Sequence, residues 1–304
     1  MLVVAALGGN ALLRPGQSPS AETQRRNVRR AGRAIAGIAR THSVVVTHGN
    51  GPQVGLLALQ SEACGAKPDP LDVLGAESEG MIGYMIDQAI ANELPGCDVA
   101  TLLTQVEVET DDPAFTKPTK PIGPVYSAEQ ARRVRRERGW RLARNAAGYR
   151  RVVPSPRPRR ILELDTIKLL VRSGVIVVCA GGGGIPVFVS SSGAVRGAEA
   201  VVDKDLSAAL LAIELRADAL LLLTDVPAVY RGWGTQRPRP IRRAHPRQLE
   251  AASFEAGSMR PKIDAACRFA AATRGMAAIG ALDDADALLL GRAGTIIQAR
   301  RSKR

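Results

Sequence analysis

Runs of apolar residues, most of them followed by a glycine or a polar residue, recur along the chain. They are continuous rather than alternating, which is typical of strands buried on both faces of a parallel sheet. The pattern predicts strands at Leu2 to Leu7, Ser43 to Thr47, Ala100 to Val106, Val175 to Ala180, Ala219 to Thr224 and Ala277 to Ile279. Between them, helices are predicted at Ala21 to Arg40, Glu77 to Glu93, Glu163 to Arg172, Lys204 to Leu215 and Lys262 to Thr273. This alternation predicts an α/β fold built on a parallel sheet.

The alternation is interrupted between about residues 112 and 160. Prolines, charged residues and a stretch of helical character from Arg132 to Arg144 replace the buried-strand pattern there. A disordered basic linker is the alternative, but apolar and aromatic anchors such as Phe115 and Trp140 persist through the segment. We therefore predict a single domain over residues 1–304 that carries an inserted subdomain.

Length and composition narrow the class of protein. A chain of 304 residues that is 45% hydrophobic can bury a full-sized core. Its four cysteines lie far apart without a CxxC pair, so the sequence indicates neither a zinc site nor a disulfide framework and favours a reducing compartment. The apolar run at Leu2 to Leu7 is too short to cross a membrane and lacks a basic leader. We therefore expect a cytoplasmic protein with no membrane partner and no side-chain metal site.

The net charge of +13 raises the question of nucleic-acid binding, because clustered cations bind phosphate backbones. The charge comes from 35 Arg against 7 Lys, and the Arg residues are spread along the chain, which indicates a general preference for Arg as surface cation. Ten aromatic residues leave few platforms for stacked bases, and no recognition-helix, RNA-recognition or zinc-finger pattern is present. We therefore predict no specific nucleic-acid partner.

The few lysines are informative against this Arg-rich background. Lys117, Lys120, Lys204 and Lys262 all lie in stretches rich in glycine, proline or aspartate. A compact ammonium on a flexible stem can follow a moving phosphoryl group as a point charge, which a planar guanidinium does less well. These positions therefore favour contact with phosphate.

Three glycine-rich loops follow predicted strands. They are Gly8-Gly9-Asn10 after the first strand, His48-Gly49-Asn50-Gly51 after the second, and the run from Gly181 to Gly184. In an open α/β sheet the ligand lies outside the carboxyl ends of the strands, where such loops can direct backbone N–H groups at an anion. A single glycine loop would usually be a turn, but three at one sheet edge predict an anion site.

Two of the lysines lie near predicted helix starts. Lys204 stands between Asp203 and Asp205, and Lys262 follows Gly257-Ser258-Met259-Arg260-Pro261. Helix starts concentrate backbone donors, so a cation there reinforces the same positive region. Taken alone, however, the acidic triplet is better explained as a solvent-exposed helix cap.

Two further candidates are ambiguous on sequence grounds. Lys120 lies on the inserted segment, where it either closes over a substrate or belongs to a proline-rigid hinge. His48 ends a strand without an accompanying nucleophile or orienting acid, so a structural role is favoured over general base catalysis. No Walker A loop and no GxGxxG motif is present. Phosphoryl transfer needs positioned donors and cations more than covalent chemistry, and a site of glycines and lysines matches that need.

These motifs resemble those of carbamate kinases, in the amino-acid-kinase fold family. The resembling stretches cover nearly the whole chain and are LGGNALL at Leu7, VVTHGNGPQVGLLALQ at Val45, PLDVLGAESEGMIGY at Pro70, DPAFTKPTKPIGPVY at Asp112, GYRRVVPSPRPRRILE at Gly148, CAGGGGIPV at Cys179, EAVVDKDLSAALLA at Glu199, LLTDVPAVY at Leu222 and GSMRPKIDAACRF at Gly257. Nine segments in the same order seldom coincide by chance. The resemblance implies a three-layer α/β/α sandwich with a mainly parallel central sheet, a small protruding subdomain and a homodimer.

The resemblance also implies the reaction. It would be a reversible Mg²⁺-dependent phosphoryl transfer between ATP and carbamate, with ADP and carbamoyl phosphate on the other side, run towards ATP in arginine breakdown. Catalytic roles would fall to Lys120, Lys204, Asp205 and Lys262. Substrate and phosphate contacts would come from Gly8, Gly9, Asn10, Gly49, Asn50 and Gly51. The nucleotide would contact Gly182, Gly183, Asp225, Ala228, Val229, Tyr230 and Met259.

One position departs from the family pattern, which usually has glycine where this chain has Arg260. The arginine either adds a phosphate contact or crowds the loop, the latter if the backbone there requires a positive φ. Two other functions stay open on sequence grounds: a related kinase of the same fold with a different acid as acceptor, and a non-catalytic regulator that binds nucleotide. The motifs HGNGPQVG and PTKPIGP favour carbamate over the first, and the presence of all four catalytic candidates weakens the second.

Overall fold

The computed structural model describes the chain except for residues 14–16, 18–19, 64–68, 146–147, 236, 251–258 and 300–304. Its strands are β1 Leu2–Leu7, β2 Ser43–His48, β3 Val99–Thr101, β4 Gln105–Glu107, β5 Lys120–Tyr126, β6 Leu142–Asn145, β7 Gly148–Val153, β8 Arg160–Ile161, β9 Ile176–Val178, β10 Ile185–Val189, β11 Val195–Gly197, β12 Ala219–Thr224, β13 Val229–Arg231, β14 Arg239–Ile241, β15 Arg243–Ala244, β16 Met276–Ala281 and β17 Thr295–Ile297. Its helices are α1 Gly9–Leu12, α2 Ala21–Ala39, α3 Gly51–Ala63, α4 Leu71–Glu93, α5 Ala128–Arg138, α6 Leu164–Arg172, α7 Lys204–Glu214, α8 Pro246–Glu250, α9 Met259–Ala272 and α10 Ala285–Leu289. Short 3₁₀ helices lie at Pro113–Phe115, Gly181–Gly183 and Leu282–Asp284. Among the helices of the described residues, none combines the length and apolar character that a membrane crossing requires.

A central sheet of eight described strands runs in the order β15-β17-β16-β12-β1-β2-β9-β3. All neighbouring strands in it are parallel except β16 and β17. The first strand lies near its middle, with Leu7 opposite His48 on one side and Leu223 on the other. The carboxyl ends of three adjacent strands therefore lie level with one another.

Helices cover both faces of this sheet. On one face, α7 and α9 bury side chains such as Leu211 and Phe269 against the strands, whereas α2 and α4 bury Ile35 and Ile82 on the other. The strands are buried on both sides, which explains why they are continuously apolar. The predicted three-layer α/β/α sandwich is confirmed.

The strand predicted from Ala100 to Val106 is wrong as a single element. It is two strands: β3 belongs to the central sheet, and β4 pairs with β10 and β8 in a separate four-stranded sheet that also contains β11. The Thr104 hydroxyl donates a hydrogen bond to the Leu102 carbonyl oxygen (2.9 Å) and accepts one from the Ala180 N–H (2.9 Å). These bonds turn the chain within an apolar run that carries no sequence sign of the change.

The inserted segment contains a three-stranded antiparallel sheet in the order β5-β7-β6, with α5 between β5 and β6 along the chain. The helical stretch predicted from Arg132 to Arg144 ends early, at Arg138, because Gly139 adopts a left-handed φ of 66° and caps the helix. The residues from Leu142 onwards form β6 instead. The sheet lies close against α3, since a Cβ on Gly55 would stand 3.1 Å from the Gly123 Cα.

The core contacts of α9 lead to a stability expectation. Truncation of Phe269, which is fully buried, to alanine should lower the free energy of unfolding by about 3–5 kcal/mol, because it leaves a cavity between helix and sheet. The matched change Leu169→Ala on α6, where the side chain is 58% exposed, should change it by under about 0.5 kcal/mol. Urea denaturation of both variants is the measurement, and equal losses would contradict this placement of the core.

Candidate active site

The first two glycine loops meet at the carboxyl edge of the central sheet. The Gly8 N–H donates to the Leu223 carbonyl oxygen (2.9 Å), and the Gly49 N–H donates to the Leu7 carbonyl oxygen (3.0 Å), so both loops continue the sheet pairing for one residue. A Cβ on Gly49 would stand 2.9 Å from the Gly9 backbone nitrogen and 3.3 Å from Cδ of Lys204. Glycine is therefore required where the two loops and the lysine stem converge.

Other members of the predicted phosphate-binding set lie beside this point. Asn10 follows Gly9 within α1, where only its backbone is described. Asn50 is buried and Gly51, the first residue of α3, is exposed.

The third glycine loop packs directly against the second. Gly182, Gly183 and Gly184 have φ values of 68°, 105° and 83°, a conformation that L side chains rarely adopt. A Cβ on Gly182 would collide with the Asn50 carboxamide, whose nitrogen would be 2.2 Å away. The Ser207 hydroxyl of α7 donates to the Gly183 carbonyl oxygen (2.7 Å) and fixes the loop from the other side.

One carboxylate connects two lysines at the centre of the site. Lys204 Nζ donates to Asp205 Oδ1 (2.5 Å), and Lys262 Nζ donates to Asp205 Oδ2 (3.1 Å). All three side chains are nearly buried, with at most 13% exposed. Burial lowers the pKa of Lys204, although the Asp205 carboxylate opposes that change. For Asp205, burial acts to raise the pKa, but the ammonium groups of Lys204 and Lys262 more than offset burial, so the pKa of Asp205 lies below its usual range.

The start of α7 connects the inserted segment to the site. Asp203 caps α7 through Oδ1, which accepts from the backbone N–H of Asp205 (3.0 Å), and its Oδ2 accepts from Lys120 Nζ (3.1 Å). Lys120 also donates to the Val202 carbonyl oxygen (3.3 Å). The two aspartates of the triplet thus cap the helix and together hold three lysines, Lys120, Lys204 and Lys262.

His48 lies beneath the glycine loops and is fully buried. Its Nδ1 is 3.1 Å from the Gly49 carbonyl oxygen, and a Cβ on Gly181 would stand 2.3 Å from its Nε2. Burial lowers its pKa to about 4, so the ring is neutral near pH 7. This packing supports the predicted role as an organiser of the loops rather than a general base.

Four of the predicted nucleotide-binding residues follow β12, the strand that pairs with β1 on the side away from β2. Asp225 is exposed at the end of β12 and accepts a hydrogen bond from the Thr224 hydroxyl (3.1 Å). Ala228 and Val229 are buried, and the Val229 N–H donates to the Thr295 hydroxyl (2.9 Å). The Tyr230 ring is half-buried and lies 5.3 Å from that of Trp233.

The loop that leads to Lys262 is described from Met259 onwards, while Gly257 and Ser258 lie outside the described residues. Met259 is the first residue of α9, three positions before Lys262, and packs against the core. Arg260 lies in the first turn of the helix, where φ is negative, and its Nε donates to Asp264 Oδ1 (2.8 Å). No positive φ is needed at this position, so the arginine does not strain the backbone.

Sequence reasoning missed two residues of α4 that hold the loops. Ser78 accepts a hydrogen bond from Asn50, and Glu79 accepts one from the Gly181 N–H. Both lie inside the stretch from Pro70 to Tyr84 that resembles the family, but a serine and a glutamate in a predicted helix carry no signal of their own. Their contacts lie 28 and 102 positions apart along the chain, beyond any local pattern.

The residues around the site offer little for a resident metal ion. The described part of the chain holds no group of three or more His, Cys, Asp or Glu side chains arranged as metal ligands. Both Asp203 and Asp205 already have their oxygens occupied by lysines and backbone N–H groups. A Mg²⁺ ion that arrives bound to phosphate and water oxygens would fit this donor set.

Comparisons with known proteins agree with this architecture. The pattern of the amino acid kinase family matches residues 1–279. A carbamate kinase of Rhizobium meliloti is 52% identical over 98% of this chain and 94% of its own length, and one of Escherichia coli K12 is 48% identical over 97% and 98%. The solved structure of the carbamate kinase from Giardia lamblia bound to AMP-PNP superposes with a TM-score of 0.90 at 40% identity and covers 98% of both chains. The chain therefore belongs to the amino acid kinase family and, within it, to the carbamate kinases.

Proposed function

We propose that this protein transfers a phosphoryl group reversibly between ATP and carbamate, with carbamoyl phosphate and ADP as the other pair of substrates. The observation that carries the proposal is the buried pair Lys204 and Lys262 on one carboxylate, directly beside two converging glycine loops. The identity of about 50% to carbamate kinases over nearly the whole chain supports it.

The chemistry that such a site can perform is electrostatic. Carbamate is already an anionic oxygen nucleophile, so it needs no general base, in keeping with a neutral His48. Its approach to a phosphoryl group is opposed by repulsion between like charges, about 4 kcal/mol for unit charges 4 Å apart at an effective dielectric constant of 20. In our proposal Lys204 and Lys262 neutralise the transferring group, Asp205 orients both lysines, and the loops at Gly8 and Gly49 direct backbone N–H groups towards it.

Lys120 is proposed to bind carbamoyl phosphate from the inserted segment, which we propose to be a protruding subdomain. Its ammonium already reaches the start of α7, where it contacts Asp203. An incoming phosphate would compete with that carboxylate for the cation. The adenine side is proposed to lie along Asp225 to Tyr230, near Gly182, Gly183 and Met259.

The nucleotide is proposed to enter as its Mg²⁺ complex, since the carboxylates of the site are occupied by lysines. The ion would then supply charge neutralisation between the phosphates, and the chain would supply the lysines and amides. The homodimer and the direction towards ATP in arginine breakdown stay predictions from the resemblance, and the cytoplasmic location stays a prediction from the cysteine pattern and the apolar runs.

The first expectation concerns the central lysine. Purified protein with ADP, Mg²⁺ and carbamoyl phosphate should form ATP, and Lys204→Ala should lower kcat by roughly 100- to 1000-fold, the typical loss when one preorganised donor to the transition state is removed. Lys168→Ala is the matched control, because Lys168 lies on α6 in a surface pair with Asp165. A coupled assay for ATP measures both variants.

The same assay separates the alternatives. Acetyl phosphate should be a poor donor; faster turnover with it than with carbamoyl phosphate would indicate a related kinase with a different acid. A folded protein that binds ADP but forms no ATP from any acyl phosphate would instead indicate a non-catalytic regulator.

The second expectation concerns Lys120. Lys120→Ala should raise the KM for carbamoyl phosphate by about tenfold to a hundredfold, because a charge-assisted hydrogen bond to phosphate is lost, and should leave the KM for ADP nearly unchanged. Steady-state kinetics with each substrate varied in turn provide the test. Equal effects on the two KM values would argue against a role confined to carbamoyl phosphate.

The third expectation concerns Arg260, which stands where the family usually has glycine. Arg260→Gly should retain the chemical step and raise the KM for ADP by roughly two- to fivefold, because a half-exposed guanidinium contributes only modestly to anion binding. Asp264→Asn is the control, since it breaks the ion pair but keeps the arginine. A large loss of kcat in Arg260→Gly would contradict the view that this position tunes nucleotide affinity alone.

A further inference from the structure

Two adjacent residues of α4, Ser78 and Glu79, each contact a different glycine loop. Both side chains are buried, with exposures of 0% and 1%. They lie on the helix face that packs beneath the site, on the layer opposite to α7 and α9. A buried serine and a buried glutamate in a helix whose other buried residues are leucine, isoleucine, alanine and glycine are costly unless each makes its hydrogen bonds.

Glu79 holds the third glycine loop. Its Oε1 accepts from the Gly181 N–H at 2.7 Å, and its Oε2 is 3.3 Å from the Thr104 N–H. Burial, together with the nearby Glu163, raises its pKa to about 8, whereas the two N–H donors oppose that change. The carboxyl group anchors the first residue of a loop whose next three residues all have positive φ.

Ser78 holds the second glycine loop. Its hydroxyl accepts from Asn50 Nδ2 at 2.8 Å and donates to the Gly75 carbonyl oxygen at 2.8 Å. This bond fixes the same carboxamide against which Gly182 packs. The two loops thus touch each other through Asn50 and are each tied to neighbouring positions of one rigid helix.

We propose that Ser78 and Glu79 are positioning residues that set the spacing between the two halves of the phosphoryl-transfer site. Neither touches a reacting atom in this proposal; each acts through the loop that it holds. Ser78 acts through Asn50 on the carbamate and phosphoryl side, and Glu79 acts through Gly181 on the nucleotide side. This division rests on the proposed function, because it uses the proposed binding side of each loop.

The division predicts that variants of these two adjacent residues raise the KM of different substrates. Ser78→Ala should raise the KM for carbamoyl phosphate by about tenfold, and Glu79→Ala should raise the KM for ADP by about tenfold to a hundredfold, because each leaves a buried donor unpaired in its loop. Each variant should change the KM of the other substrate by under about threefold. Glu79→Gln, which keeps one oxygen for the Gly181 N–H, should restore most of the ADP affinity lost in Glu79→Ala.

Asp87→Asn is the matched control on the same helix. Asp87 is half-buried with a pKa that burial raises, but it contacts Thr101 rather than a glycine loop (3.3 Å). Its amide variant should leave both KM values unchanged. Thermal unfolding of every variant identifies any that fail to fold. Ser78→Ala and Glu79→Ala carry the test where they fold, and Ser78→Ala carries it alone if Glu79→Ala does not; Glu79→Gln is the conservative rescue.

The outcomes are separable. If wild-type protein forms no ATP, the proposed function fails, whatever the variants do. If wild-type protein is active and the folded Ser78→Ala and Glu79→Ala variants behave like Asp87→Asn, or change both KM values equally, the positioning proposal is wrong while the function stands. A higher KM for carbamoyl phosphate alone in Ser78→Ala and a higher KM for ADP alone in Glu79→Ala, with most of the ADP affinity recovered in Glu79→Gln, would support it.

Discussion

The site depends on one buried carboxylate, Asp205, shared by two lysines. Lys204 and Lys262 are both nearly buried, and removal of a partner from such a buried set typically costs about 3–5 kcal/mol. One carboxylate between two ammonium groups also leaves one positive charge in excess. Because water has little access there, that excess favours an incoming anion, and a phosphoryl group in transfer is such an anion.

The fold brings these groups together from distant parts of the chain. The lysines enter from α7 and α9 on one face of the sheet, while Ser78 and Glu79 reach the loops from α4 on the other. The loops themselves follow the carboxyl ends of neighbouring parallel strands, so the register of the sheet fixes where each loop lies along the strand direction. The inserted segment reaches the same place through Lys120 on Asp203, and a second ion pair joins Arg151 to Glu199 (3.2 Å). The lysines, the glycine loops and the helix-capping Asp203 are therefore all held in place by the central sheet and the helices packed on it.

Much of this could be predicted from the sequence for local physical reasons. Strands buried on both faces are rich in consecutive apolar residues, so β1, β2 and β12 were recognisable from their apolar runs alone. Glycines after those strands indicated an anion site, because parallel strands end at one edge. The lysines stood out because the chain otherwise uses arginine, and two of them share a carboxylate in the structure. The assignment of individual roles came from family resemblance rather than from spacing.

The rest was decided by contacts that no local pattern records. The apolar run from Ala100 to Val106 divides between two sheets because Thr104 bonds to Ala180, 76 positions away. Burial of Glu79 beneath Gly181 and of Ser78 beneath Asn50 depends on the packing of α4 under loops 102 and 28 positions distant. The sequence by itself indicated most of the buried strands and predicted an anion site at their ends, since burial and backbone freedom are properties of short stretches. Only the tertiary structure decided which polar side chains support those loops, because a hydrogen bond across layers depends on distance in space and not along the chain.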